Sequence, residues 1–134
     1  PYNDKLLHLI EQYDLVGYVD LVPFMDDPSA YFQKAHIGVT TSRNEAFGRI
    51  TVEYMKSNMV TIGAKAGATG EIITDQVTGI LYELRNYEEV AAILYNIITG
   101  KRDAQKLQQN AFAESGNRFS EEKHAASLSN FLFS

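Results

Sequence analysis

The stretch Ser42-Arg43-Asn44-Glu45-Ala46-Phe47-Gly48-Arg49-Ile50-Thr51-Val52-Glu53 holds two carboxylates eight residues apart, with an aromatic-glycine pair between them. Glu45 precedes the helix that the following residues predict and Glu53 falls inside it, so the two are not stacked on one helical face. Fully helical spacing would separate them by about 12 Å along the axis. That is too far for a paired acid and base. It suits a ligand with hydroxyls at both ends and phosphate in the middle, which is the layout of a nucleoside diphosphate sugar. Unpaired N–H groups at the helix start, around Phe47, Gly48 and Arg49, would meet a diphosphate with the favourable end of the helix dipole, and Gly48 permits close approach. Carboxylates outside the phosphate zone would accept hydrogen bonds from sugar hydroxyls.

Other polar residues have plainer readings. Glu71 after Gly70 suits the first turn of a helix as well as a binding role and stays outside the site. Asp26-Asp27 before Pro28 reads as a helix cap rather than a metal pair. His8, His36 and His124 are scattered and Cys is absent, so no metal site and no cofactor are expected. Arg43 and Lys65 fall in loops facing the site and read first as solvated surface charge. Tyr and Phe follow strand and helix patterns, the mark of core packing.

These residues need a frame to hold them. Lys5–Tyr13 is helical, Val16–Val22 reads as a buried strand stopped by Pro23, and residues 28–35 form a short helix. Ile37–Thr40 is a strand, a helix runs from about Gly48 to Ser57, and Asn58 ends it in the left-handed conformation. Met59–Gly63 is the next strand. Gly63, Gly67 and Gly70 punctuate a loop leading to a short helix with Thr69 as its cap, and Thr78–Tyr82 is a further strand. Val90, Ile93, Leu94, Ile97 and Ile98 repeat at helical spacing, opened by an Asn86-x-x-Glu89 box and closed by Gly100. Two more helices follow, about 102–115 and 120–132, the last capped by Ser120. Strands alternating with helices predict one α/β domain over residues 1–134, a Rossmann-like parallel sheet with helices on both faces. Ligands of such folds sit outside the carboxyl ends of the strands, which selects the loops after residues 22, 40 and 63.

Composition narrows the classes further. The chain has 134 residues, enough for one domain with a real core, and 45% of them are hydrophobic. Twelve basic against seventeen acidic residues give a net charge of -5 with no basic block, which argues against nucleic acid as a partner. No apolar run reaches the ~18 to 20 residues needed to span a bilayer, and the first residues are not built like a signal peptide, so a cytoplasmic location is expected. The chain opens on Pro1-Tyr2-Asn3-Asp4, which reads as the middle of a longer protein.

The run Glu45-Ala46-Phe47-Gly48-Arg49-Ile50-Thr51-Val52-Glu53 resembles the E-x7-E signature of the retaining GT-B glycosyltransferases, the group that includes glycogen synthase, sucrose synthase and many bacterial cell-surface sugar transferases. The resemblance continues through Tyr54–Val60, Gly67-Ala68-Thr69-Gly70-Glu71-Ile72-Ile73 and Val77–Leu81, and in order and spacing it covers about residues 14 to 132. It implies the C-terminal, donor-binding half of a GT-B enzyme, incomplete at its N-terminal end, that moves a hexose from a nucleoside diphosphate sugar to a glycan or other acceptor. Glu45 would contact hexose hydroxyls near the reacting carbon as the catalytic residue. Phe47, Gly48 and Arg49 would bind phosphate through their backbone and Glu53 the ribose hydroxyls, with the nucleobase near Phe24 and Met25. The family commonly has Gly at the positions of Ala46 and Asn58 and Pro at that of Gly70. Its basic residues for the diphosphate lie upstream of Pro1, and its acceptor domain would be a partner in the same polypeptide, the part through which any membrane contact would come. By itself the chain is expected to bind donor weakly and transfer nothing. Two other classes fit less well: a nucleotide-sugar epimerase of the same fold, which is not expected to show the E-x7-E frame, and a flavodoxin-like binding or signalling module, for which Asp26-Asp27 is a weak match.

Overall fold

The computed structural model describes residues 2–120. Strands β1 (Ile37–Thr40), β2 (Val60–Ala64) and β3 (Ile80–Tyr82) form a parallel sheet in the order β1-β2-β3, with Ile37 opposite Val60 and Ile62 opposite Ile80. Side chains alternate across the sheet as the two-residue period requires. Ile37, Val39, Val60, Ile62, Ala64, Ile80 and Tyr82 belong to one core, closed by Val90, Ile93, Leu94 and Ile97 of α5 (Tyr87–Ile98) and by Ala104 and Leu107 at the start of α6 (Gln105–Arg118).

On β1 and β2 the intervening positions are only Gly and Thr, and that smallness brings the site-bearing helices close. A side chain on Gly38 would overlap the ring of Tyr54 in α3 (Arg49–Lys56), and one on Gly63 would overlap Thr69 in α4 (Gly67–Ile72). Met55, Ile72 and Ala111 form the second core between α3, α4 and α6, with Val52, Ala68 and Phe119 packed against it. The α/β layering with helices on both faces therefore stands. Arg118 fastens this side further, since its guanidinium donates to the carbonyls of Glu71 and Ile72 at the end of α4 and pairs with Glu114 at 3.0 Å.

Local signals hold at several points. Asp27 Oδ1 accepts from the Ser29 N–H at 3.0 Å ahead of α2 (Ser29–Phe32), a bond that also holds the Asp27 carboxyl below its ordinary value. Asn58 adopts φ 56 after α3, and Asn86 Oδ1 accepts from the Glu89 N–H. α1 spans Tyr2–Gln12, close to the expected helix.

Four expectations need correction. Val16–Val22 is not a strand: Leu15 O accepts from the Tyr18 and Val19 N–H groups in a turn, and Val16 is 68% exposed. Among the described residues no strand lies beside it, and without a neighbour a Val-rich run cannot satisfy both rows of its backbone groups. Thr69 does not cap α4; it lies within the helix, 1% exposed, and Ala66 precedes the first turn. The Glu89 carboxylate does not close the box on Asn86 but accepts from the Glu83 N–H at 2.9 Å. The helix expected at 102–115 begins at Gln105 and continues to Arg118, because Asp103 Oδ1 accepts from the Gln105 N–H and sets the start. The helix expected at 120–132 lies outside the described residues.

Candidate functional site

The loop 41–48 leaves β1 at the carboxyl end of the sheet and turns into α3. Gly48 makes the turn at φ 62 and ψ 24, a left-handed conformation that a side chain disfavours. It is buried, and a Cβ there would overlap Ile72 Cδ1 and lie 3.3 Å from Ala68 Cβ. The close approach expected at Gly48 is thus to α4, which fixes the direction in which α3 starts.

The N-terminus of α3 is open. No side chain caps it, and among the described residues the N–H groups of Arg49, Ile50 and Thr51 find no acceptor. Its first turn carries no acid, and Arg49 stands where the dipole disfavours a cation. A helix start with free donors, no cap and a cation is suited to receiving an anion from outside.

One face of α3 presents Arg49, Val52, Glu53 and Lys56, spaced to lie together, and with Phe47 they line a cleft of 340 Å³. The opposite face buries Thr51 and Met55. Phe47 is 80% exposed, so its ring is available at the mouth of this cleft rather than packed in the core. The Glu53 carboxylate makes no hydrogen bond or ion pair among the described residues.

Glu45 sits apart from that cleft. It is half-buried while residues 41–44, 46 and 47 are exposed, and its carbonyl accepts from the Ala68 N–H at 2.9 Å. Met25 lines a second, largely apolar cleft of 270 Å³ with Val22, Pro23, Pro28, Tyr31 and Phe32, while Phe24 points away at 93% exposure. Phe32 packs edge-on against Tyr54, the residue after Glu53, with ring centroids 5.3 Å apart. So Phe47, Arg49 and Glu53 share one cleft, Met25 lies in another, and Glu45 rests against α4. Lys65 is engaged by Glu83 at 2.7 Å, a bond that raises its ammonium above the ordinary value, whereas Arg43 is exposed.

Sequence reasoning missed Lys56 in the cleft and Tyr31 and Phe32 beside Met25. It also missed a chain of buried hydroxyls, Thr40 to Thr51 at 3.5 Å and Thr51 to Thr69 at 3.3 Å, which links β1, α3 and α4 under the loop. The lengths make these weak bonds, but each hydroxyl has a partner. The signal available was three Thr at positions where apolar residues would otherwise be expected.

Among the described residues no helix is long and apolar enough to cross a membrane. The sequence profile described as "Glycosyl transferases group 1" matches residues 1–114. A glycosyltransferase of Methanocaldococcus jannaschii is 30% identical over 98 residues, covering 73% of this chain and 28% of that protein. The poly(glycerol-phosphate) alpha-glucosyltransferase of Bacillus subtilis is 29% identical over 111 residues, 81% of this chain and 16% of that one. The chain therefore spans less than a third of the length of these curated relatives. Among solved structures, Anabaena HepE in complex with UDP superimposes with a TM-score of 0.85 at 27% identity, covering 96% of this chain and 37% of that one. The C-terminal domain of a group 1 glycosyl transferase from Francisella tularensis gives 0.80 at 26% identity, covering 90% and 63%. With the fold matching that of GT-B glycosyltransferases and the family profile covering most of its length, the chain belongs to the group 1 glycosyl transferases.

Proposed function

We propose that the chain is the donor-binding domain of a retaining glycosyltransferase that moves a hexose from a nucleoside diphosphate sugar to a glycan or other acceptor. The observation that carries this is the uncapped start of α3, with three free N–H groups, flanked by a half-buried Glu45 on one side and a cleft holding Glu53 on the other. In this reading the amides of Arg49 to Thr51, together with those of Phe47 and Gly48, receive the diphosphate. Glu53 accepts hydrogen bonds from the ribose hydroxyls, the nucleobase rests against the apolar cleft at Met25, and Glu45 lies beside the hexose. The bond from the hexose reacting carbon to the diphosphate oxygen breaks, and its electron pair leaves with the diphosphate. The acceptor hydroxyl oxygen bonds to that carbon, and its proton passes to the departing diphosphate. Donor N–H groups fixed before the reaction stabilise the charge that develops on the leaving group. Solved neighbours in complex with UDP and with UDP-glucose support a nucleotide-sugar donor. The family match favours transfer over the epimerase and the signalling-module readings.

The test uses the full-length protein. A thermal-shift panel of UDP, GDP and ADP sugars is expected to select one donor class, and Glu45→Gln is expected to lower kcat at least tenfold with little change in nucleotide affinity. No stabilisation by any of these donors, or an unchanged kcat in Glu45→Gln, would sink the assignment.

A further inference from the structure

The loop that carries Glu45 has a single point of rest. Among the described residues, the one hydrogen bond made by residues 41–47 is that from the Ala68 N–H to the Glu45 carbonyl, at 2.9 Å, and Glu45 is the one residue of that stretch that is not fully exposed. Beneath it lies Gly67. A Cβ on Gly67 would sit 2.8 Å from the Glu45 carbonyl oxygen and 3.0 Å from the Glu45 nitrogen, and Gly67 itself is held at φ 52. Both atoms it would meet are backbone, so no rotamer change could make room. The loop would have to lift, and lifting it would stretch the Ala68 bond that seats it.

We propose that Gly67 is a positioning residue for Glu45: its missing side chain lets the first turn of α4 press against the Glu45 backbone and fixes the height of that carboxylate above the sheet. The proposal rests on the reading of Glu45 as the residue beside the donor hexose. It separates two functions of the site. Among the groups that meet the nucleotide, Phe47 shares the loop with Glu45, but the amides of Arg49 to Thr51 and the Glu53 side chain belong to α3, which buries Thr51 and Met55, and that part of the nucleotide end does not hang on Gly67. The hexose end does, because nothing else among the described residues holds residues 41–47 by a hydrogen bond.

The experiment compares Gly67→Ala with Gly100→Ala in the full-length protein. Gly100 also has a left-handed backbone, at φ 71, but a Cβ there meets nothing within 4 Å, so it reports the backbone penalty alone. Release of the nucleoside diphosphate gives kcat and KM, as UDP from UDP-glucose, or as GDP from GDP-mannose or ADP from ADP-glucose if wild type prefers one of these, and calorimetry gives the affinity for the free nucleoside diphosphate. Misplacing a reacting group by up to an ångström can cost a rate about a hundredfold. Gly67→Ala is expected to lower kcat by about 10- to 100-fold with nucleotide affinity within about threefold of wild type. Gly100→Ala is expected to keep the wild-type kcat. A Gly67→Ala enzyme with kcat within about twofold of wild type, or one that loses nucleotide affinity as much as kcat, overturns the proposal. If Gly67→Ala does not fold, Ala68→Pro replaces it: the ring removes the donor to Glu45 in the first turn of α4, where Pro is tolerated. The same fall in kcat with retained affinity is then expected. Failure of both to fold, while Gly100→Ala folds, would make the contact a folding requirement and also overturn the positioning role. Failure of the underlying reading looks different: wild type would turn over none of the three donors, or Glu45→Gln would keep its kcat.

Discussion

Gly48→Ala should be among the most damaging single-methyl additions to this domain, and the size of the effect can be worked from its surroundings. A left-handed backbone with a side chain costs about 1–2 kcal/mol, and Gly48 stands at φ 62. The new Cβ would overlap Ile72 Cδ1, and Ile72 is 6% exposed in a cluster with Met55 and Ala111, so its methyl has little room to move. Forcing an extra methyl into such packing costs about 1–3 kcal/mol more. The lower entropy of the unfolded alanine chain returns about 0.4–1 kcal/mol. The net loss is about 1–4.6 kcal/mol, centred near 3, a large part of the ~5–15 kcal/mol that holds an ordinary domain folded. Gly100→Ala, strained in the backbone but with open space, should lose only about 1 kcal/mol. Urea unfolding of the full-length protein, read as the shift of the midpoint for this domain, measures both. If the two variants fall within about 0.5 kcal/mol of each other, α3 and α4 do not meet as tightly as described and the reasoning fails.

Three further outcomes are expected. Glu53→Ala should weaken nucleoside diphosphate binding by about 1.5–3 kcal/mol with no loss of stability, since the carboxylate has no bonding partner among the described residues to lose; calorimetry showing wild-type affinity would refute its ribose role. Chelator should leave turnover intact if helix amides carry the leaving diphosphate, and full loss of activity in EDTA, restored by magnesium or manganese, would count against that route. Burial raises the phenols of Tyr54 and Tyr82 above 10.0, so unfolded chains lose these protons first as pH rises; the stabilisation is whole below that value and is lost as pH climbs toward the folded values. Melting temperature followed from about pH 9 to 11 should fall, and fall less in Tyr54→Phe; equal slopes would remove Tyr54 as a cause.

The parts of the site legible in the sequence were those whose meaning is local. Asn58, Asn86 and the Asp27 cap act within a few residues of themselves, and their residue types leave few alternatives. The parallel pairing of β1, β2 and β3 followed from apolar runs separated by helices, because a parallel sheet needs just that alternation. The placing of Arg49 and Glu53 on one cleft was also accessible, since i, i+4 spacing alone brings helix residues together, whereas Phe47 reaches the cleft from the loop ahead of the helix. Val16–Val22 failed for the opposite reason. Strand preference is a preference for a packed, paired surface, and whether a neighbour exists is not written in the run itself.

Gly67 shows where local reading stops. In sequence it is one of three glycines, Gly63, Gly67 and Gly70, that look alike as loop punctuation. In the fold they differ. Gly63 makes room for Thr69 against the sheet, Gly70 has only loose contact with the Lys65 backbone, and Gly67 alone of the three meets the Glu45 backbone. That contact joins residues 22 positions apart, so it depends on β1 and β2 being adjacent and in register, with Thr40 opposite Gly63. Once the register is set, the loops leaving the two strands emerge side by side, and one must be thin where the other crosses it. The Ala68 N–H is then free to take the Glu45 carbonyl, and Thr51 and Thr69 face each other one layer below. A carboxylate placed in this way takes its height from the sheet register rather than from its own loop, and a shift in the β1–β2 pairing would disturb Glu45 together with the start of α3, which leans on the same helix α4 through Gly48.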